Sequence, residues 1–169
     1  YPFQENNVYA RDAKKQIASK ALKLVQNGMT VLAGGGTTML ELARIIPESL
    51  QCTFFTISPL VALELAEKEN LEVFLLGGKL SRNTNVVSGS QVINELSDIK
   101  VDLCLLGTNS LSVEEGITDS DWEVVQIKKA MIKSSQKLGV LSIVEKLNSN
   151  QKLRVCQLKD ITYLITDLN

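Results

Sequence analysis

Apolar residues in this chain occur in two alternating patterns, short continuous runs and longer stretches with apolar residues three or four positions apart. The continuous runs predict six buried strands, at residues 30–33, 52–57, 72–78, 101–107, 138–144 and 161–166. The periodic stretches predict helices at 12–26, 37–46, 59–70, 90–96 and 120–136. Because buried strands that alternate with helices form parallel sheets, the pattern predicts an α/β fold, a Rossmann-like, mostly parallel sheet with helices on both faces.

Polar segments and capping residues set the expected limits of these elements. Residues 79–85 and 111–120 are polar and are expected to be loops. Thr38 with Glu41, and Ser120 with Glu123, have the spacing of capping boxes at helix starts. Ser58 before Pro59 is typical of an N-cap. The lysines of the last long helix are interpreted as a solvated face; they are Lys128, Lys129, Lys133 and Lys137.

Glycines stand at the ends of three predicted strands. They are Gly34, Gly35 and Gly36 after the first strand, Gly77 and Gly78 at the end of the third, and Gly107 at the end of the fourth. In parallel sheets, ligands bind outside the carboxyl ends of the strands. The sequence therefore predicts a rim at which backbone can approach a ligand closely.

The segment Gly-Gly-Gly-Thr-Thr at residues 34–38 joins a strand to a helix. Free N–H groups and the positive dipole end of that helix, with the Thr37 and Thr38 hydroxyls, would suit a phosphate. A tight turn that needs glycine backbone is the equally open alternative. No lysine follows as in a P-loop, and Met39 occupies the third glycine position of the dinucleotide fingerprint. Because neither motif is complete, the remaining candidate ligand for this segment is a smaller phosphorylated molecule.

Composition narrows the class of protein further. A chain of 169 residues suits one domain, and a net charge of −1 argues against nucleic-acid binding by this part alone. The chain has no histidine, which excludes Ser-His-Asp and Cys-His catalysis, and we expect no metal and no cofactor. Three well-separated cysteines are expected to be reduced core residues. No apolar run could span a bilayer, so we expect no membrane partner and a cytoplasmic location.

An ordered set of motifs resembles a known family. Gly36-Thr37-Thr38 is followed by Thr56-x-Ser58, by Leu-Leu-Gly-Gly at 75–78, by the segment 101–119, and by Lys-Lys-Ala-Met-Ile at 128–132. Together they resemble the C-terminal effector-sensing domain of DeoR-family bacterial transcriptional regulators, over residues 12–167. The resemblance implies a fold similar to the sugar-phosphate isomerase and CoA-transferase group.

The resemblance also implies a function. A phosphorylated sugar or related metabolite would bind the domain and alter operator binding, usually by a repressor. Operator DNA would be bound through an N-terminal helix-turn-helix domain that this chain lacks, and the proteins would form homo-oligomers. Residues 1–11 would be the remnant of an interdomain linker, and 12–169 a single sensing domain.

Motif matches and strand ends together give the candidate effector site. Its members are Gly34, Gly35, Gly36, Thr37, Thr38, Ser58, Gly77, Gly78, Lys79, Arg82, Thr108, Glu115, Gly116 and Lys146. Polar residues of the family pattern are replaced here by Gly34, Ile57 and Ile143. An unusual effector is one reading of these replacements.

Two other functions stay open. A sugar-phosphate isomerase would need a general base from Glu114, Glu115 or Asp119, because the acidic pair of related isomerases is replaced after strand four. An oligomerisation module with a degenerate pocket would bind no effector. Trp122 is interpreted as a packing or interface residue in either case.

Overall fold

The computed structural model describes residues 2–168, with side chains described for residues 10–168. The helices are α1 Pro2–Leu22, α2 Thr37–Ile45, α3 Pro59–Ala66, α4 Ser90–Ser97 and α5 Trp122–Lys133. The strands are β1 Thr30–Ala33, β2 Cys52–Thr56, β3 Leu71–Leu75, β4 Lys79–Leu80, β5 Val87–Ser88, β6 Val101–Gly107, β7 Leu111–Ser112, β8 Gly116–Asp119, β9 Ser135–Leu141, β10 Leu153–Cys156 and β11 Tyr163–Ile165. Two 3-10 turns lie at Val144–Lys146 and Leu158–Asp160.

The main sheet contains the six predicted strands in the order β3-β2-β1-β6-β9-β11, and every pair is parallel. The chain builds outward from β1 to β3, then returns to place β6 on the other side of β1. The point between β1 and β6 is therefore the topological switch point, where doubly wound sheets bind ligands. This arrangement confirms the predicted fold class.

The hydrophobic core lies on both faces of this sheet. Val31 and Ala33 face one cluster, together with side chains of α1, α2 and α3, whereas Leu32 faces a second cluster with side chains of α4 and α5. Residues 103–106 of β6 divide alternately between the two clusters in the same way, because successive strand side chains point to opposite faces. The continuous apolar runs are thus explained by burial on both sides.

The two predicted loops were wrong in part, because each contains short antiparallel strands. β4 pairs with β5 in a hairpin, and β7, β8 and β10 form a second, three-stranded sheet. Strands of two residues carry too little pattern to be recognised in sequence. The segment of β10 reads Leu-Arg-Val-Cys, which is too short to be distinguished from loop by periodicity.

Helix limits also differ from the prediction. α1 begins at Pro2 and ends at Leu22, so the helix starts well before residue 12, while the boundary between linker and domain stays a prediction. α5 begins at Trp122 and ends at Lys133, since β9 begins at Ser135. Ser58 caps α3 as predicted, because its side chain accepts a hydrogen bond from the Val61 N–H.

Both predicted capping boxes were wrong. Gly36 is the N-cap of α2, and among the described residues no side chain caps that helix, so Thr38 and Glu41 form no box. Asp121, and not Ser120, caps α5, because its carboxylate accepts from the Glu123 and Val124 N–H groups. Ser120 and Asp121 are both good N-cap residues and adjacent in sequence, so spacing alone does not decide which of them caps the helix.

Candidate functional site

A cavity of about 450 Å³ opens at the carboxyl ends of β1, β6 and β9, at the switch point of the sheet. Its walls come from the start of α2, the β4–β5 hairpin, the first turns of α5 and the 3-10 turn after β9. Lys14 of α1 reaches the lining as well. The cavity therefore draws on elements from both faces of the sheet.

A different physical reason favours glycine at each of the three positions after β1. A Cβ on Gly34 would lie 3.2 Å from Leu106 Cδ2, so this position is tightly packed on β6. A Cβ on Gly35 would lie 2.5 Å from Val86 Cγ1, so the hairpin can pack here only against glycine. Gly36 has φ 99° and ψ 169°, a conformation that is essentially restricted to glycine, and the space beside it is open. The tight turn and the open backbone are both present.

The start of α2 presents backbone donors to the cavity. Thr37 is exposed, Thr38 is half-buried and both line the cavity. The first N–H groups of an α-helix have no acceptor within the helix, and no described side chain supplies one here. α3 and α5 are both capped by side chains, by Ser58 and Asp121. The α2 terminus can therefore accept an anion without displacing a cap.

Two lysines near this terminus add positive charge. Lys14 and Lys146 line the cavity, and Lys146 Nζ donates a 2.7 Å hydrogen bond to Asn109 Oδ1. Burial lowers the pKa of Lys146, the positive charge of Lys14 lowers it further, and Glu145 opposes both effects. A negatively charged ligand between the two lysines would relieve their repulsion.

Lys128 is the functional candidate that sequence reasoning missed. Its ammonium lies in the cavity wall, 3.1 Å from the Gly107 carbonyl oxygen and 3.6 Å from Asp119 Oδ2. Burial lowers the pKa of Lys128, and the Asp119 carboxylate opposes this shift. The interpretation of Lys128 as part of a solvated face was therefore wrong. Its position four residues after Val124 and three before Met131 places it on the inward face of α5, which periodicity could have shown.

Further polar groups complete the wall opposite α2. Asp119, Asp121 and Glu123 line the cavity, and Ser88 Oγ lies 3.3 Å from Glu123 Oε2, linking the hairpin to α5. Asp119 Oδ1 accepts the N–H groups of Ser120 and Asp121, which holds its other oxygen toward Lys128. The cavity thus has a cationic, amide-rich side and a side with carboxylates and one ammonium.

Half of the candidate residues from the sequence meet in this cavity. They are Gly34, Gly35, Gly36, Thr37, Thr38, Thr108 and Lys146. Thr108 is buried, and its hydroxyl contacts the backbone of Ser110. The phosphate-binding role of these residues stays a prediction.

The other candidate residues lie outside the lining. Ser58 is used as the α3 cap, and the Gly77 N–H donates to Glu95 Oε2 at 3.1 Å. Glu115 forms an exposed ion pair with Arg154 at 2.6 Å. The remaining positions are the hairpin residues Gly78, Lys79 and Arg82, the last two exposed, and Gly116 at the start of β8.

Other features bear on the class of site. Among the side chains of residues 10–168, no group of three or more acidic, cysteine or histidine residues could hold a metal ion. Cys52, Cys104 and Cys156 are buried free thiols, and burial raises the pKa of each. No described helix is both long and apolar enough to cross a membrane.

A parallel α/β sheet with a polar, lysine-lined cavity at its switch point defines a ligand-binding domain. A family model described as the DeoR C terminal sensor domain matches residues 10–168, and the chain belongs to this family. It is 32% identical to the HTH-type transcriptional regulator GlpR of Haloferax volcanii over 98% of this chain and 64% of that protein. It is 34% identical to the HTH-type transcriptional repressor GlcR of Bacillus subtilis over 92% of this chain and 60% of that protein. The chain thus spans less than two thirds of the length of these relatives.

Solved structures support the fold. Ribose 5-phosphate isomerase A of Methanocaldococcus jannaschii gives a TM-score of 0.56 at 21% identity, over 81% of this chain and 54% of that chain. The translation initiation factor eIF-2B of Pyrococcus horikoshii OT3 gives 0.62 at 14% identity, over 97% and 66%. At these identities the likeness shows a shared fold only.

Proposed function

We propose that this chain is the effector-sensing part of a DNA-binding transcriptional repressor, and that a phosphorylated sugar or related metabolite binds in the cavity. Membership of the sensor-domain family and the regulator names of the relatives support this proposal. A relative in Haemophilus influenzae is named glycerol-3-phosphate regulon repressor, and a name that refers to a small phosphorylated metabolite is consistent with this proposal. The structural observation on which this proposal mainly rests is the N-terminus of α2, which has no side-chain cap and lies in the cavity wall.

The phosphate group of the effector would sit against the first turn of α2. Backbone N–H groups of Thr37 and Thr38 donate to its oxygens, and Lys14 and Lys146 balance its charge. A helix N-terminus contributes about 0.3–1 kcal/mol to an exposed anion and up to about 2 kcal/mol in a partly buried site. The lysines add charge-assisted hydrogen bonds, which are roughly twice as strong as neutral ones.

The effector would act by favouring one of two states of the full-length regulator. Ligand binding shifts such an equilibrium only by its difference in affinity for the two states. Operator DNA would be bound by a helix-turn-helix domain outside residues 1–169, in the cytoplasm, where phosphorylated metabolites occur. The family resemblance also supports a homo-oligomer, which analytical ultracentrifugation of the full-length protein tests directly.

A ligand titration with matched glycine variants tests the phosphate site. We expect glucose 6-phosphate or another sugar phosphate to raise the melting temperature. We also expect it to change the fluorescence of Trp122, the single tryptophan, whose neighbours in sequence, Asp121 and Glu123, line the cavity. At a hundred times the dissociation constant, the ligand adds about 2.7 kcal/mol. Unphosphorylated sugars are expected to have no effect.

Gly36→Ala is expected to weaken this binding at least tenfold. Alanine disfavours the φ of 99° and rotates the peptide, which moves the α2 amides away from the anion. Gly28→Ala is the matched control, since Gly28 has φ 84°, equally open space and no place in the cavity. If both variants bind the sugar phosphate as well as the unmodified protein, the α2 terminus is not the phosphate site.

An isomerase-like enzyme is the second candidate, because one of its three possible bases lines the cavity. Asp119 lines it, whereas Glu114 and Glu115 do not. Both Asp119 oxygens already have partners, because Oδ1 accepts two backbone N–H groups and Oδ2 faces Lys128, and this geometry leaves little room for direct contact with a substrate proton. Turnover of ribose 5-phosphate that is abolished in Asp119→Asn would support the enzyme and contradict a purely sensing role.

A further inference from the structure

Lys128 and Asp119 form an ion pair in the cavity wall, and the protein groups around this pair do not use all of its hydrogen-bond donors and acceptors. An ammonium has three donors, and Lys128 Nζ has one acceptor at 3.1 Å, the Gly107 carbonyl, and one at 3.6 Å, Asp119 Oδ2. Lys128 and Asp119 have side chains that are 16% and 14% exposed, and both line the cavity. The residual exposure is therefore directed at the ligand space.

The surroundings hold this pair in a fixed geometry. Asp119 Oδ1 is occupied by two backbone N–H groups at the start of α5, so its carboxylate cannot rotate freely. Lys128 is held by the end of β6, next to the switch point. A fixed donor beside a fixed acceptor matches two neighbouring hydroxyl groups, one accepting from Nζ and one donating to Oδ2.

We propose that Lys128 and Asp119 bind the hydroxyl groups of the effector's sugar, and so distinguish a phosphorylated monosaccharide from phosphate alone. This inference rests on the proposed function and assigns the remaining half of the same site. The phosphate is bound by α2, Lys14 and Lys146, whereas the sugar extends toward β8 and α5. A sugar analogue without the neighbouring hydroxyls leaves the third Nζ donor of Lys128 and the outward side of Asp119 Oδ2 without a ligand partner, so the pair favours the hydroxyl-bearing sugar.

A titration of three probes against two variants tests this division of the site. The probes are inorganic phosphate, glycerol 3-phosphate and glucose 6-phosphate, followed by Trp122 fluorescence and by the melting temperature. Lys128→Met is expected to lose at least tenfold in affinity for glucose 6-phosphate and less than twofold for inorganic phosphate. Lys129→Met removes the same charge one position along α5 from an exposed site and is expected to bind all three probes unchanged.

The outcomes separate this inference from the proposed function. If the unmodified protein binds neither phosphate nor any sugar phosphate, the proposed function fails and the inference fails with it. If Lys128→Met binds glucose 6-phosphate normally, or loses affinity for phosphate to the same degree, only the inference is overturned. If Lys128→Met does not fold by circular dichroism, Asp119→Asn decides, because its side chain keeps its size; normal discrimination between phosphate and sugar phosphate in that variant also overturns the inference.

Discussion

Gly116 offers a test of whether a candidate site residue acts through structure or through ligand contact. It begins β8, pairs with Ser112 across the β7–β8 hairpin and has φ 71°. A Cβ added here would lie 2.1 Å from the Cys156 carbonyl oxygen and 2.8 Å from Gln157 Cα. Both neighbours are backbone atoms, so they cannot move aside without displacing β10.

The expected cost of Gly116→Ala has two parts. An L-residue in the left-handed region costs about 1–2 kcal/mol, and overpacking against fixed atoms adds about 1–3 kcal/mol. We therefore expect the free energy of unfolding to fall by about 3 kcal/mol, out of the roughly 5–15 kcal/mol of an ordinary domain. At about 2–4 °C per kcal/mol for a chain of this size, the melting temperature falls by about 6–12 °C.

Urea denaturation and thermal melting, both with Gly28→Ala as control, measure this cost. Gly28 has φ 84° and no atom within 4 Å of an added Cβ, so its variant reports the backbone term alone, about 1 kcal/mol. The difference between the two variants is the steric term. If both lose the same stability, the clash with Cys156 is not real; if Gly116→Ala keeps its stability but loses ligand affinity, Gly116 is a binding residue as the family resemblance implied.

Three further perturbations follow from the same contacts. Lys146→Met is expected to weaken sugar-phosphate binding about tenfold, about 1.4 kcal/mol, less so in high salt, as titrations at two ionic strengths will show. Phe54→Ala should cost about 3–5 kcal/mol, because Phe54 is 1% exposed, whereas Phe74→Ala at 44% exposure should cost far less in urea denaturation. Burial raises the pKa of the Cys52 and Cys156 thiols from 9.0 to about 11. The unfolded chain therefore ionises first, and unfolding free energy should fall between pH 9 and 11; a flat profile there contradicts these pKa shifts.

The main sheet could be predicted from sequence because its strands are buried on both faces. A run such as residues 101–107 is apolar throughout, and no exposed face interrupts the pattern. The second sheet could not be predicted, because β7 has two residues and β10 pairs with β8 across more than thirty intervening positions. Strand pairing at that distance leaves no local signal in the sequence.

The residues of the candidate site also differ in whether local sequence could predict them. Gly36, Thr37 and Thr38 could be found because a single strand-to-helix junction carries all of their geometry. Lys128 and Asp119 could not be paired, since a strand of the second sheet brings one of them to the other. Glu115 was chosen by its place in a loop, and only the structure shows that Arg154 draws it away from the cavity.

The position of the cavity between β1 and β6 has a consequence for how the domain folds. β1, β2 and β3 are joined by short crossovers and can assemble early, whereas Val31 meets Leu103 only after a long loop has closed. The cavity walls come from both sides of this late contact. An effector bound in this cavity would contact residues on both sides of the β1–β6 junction, and it would therefore stabilise the pairing of these two strands.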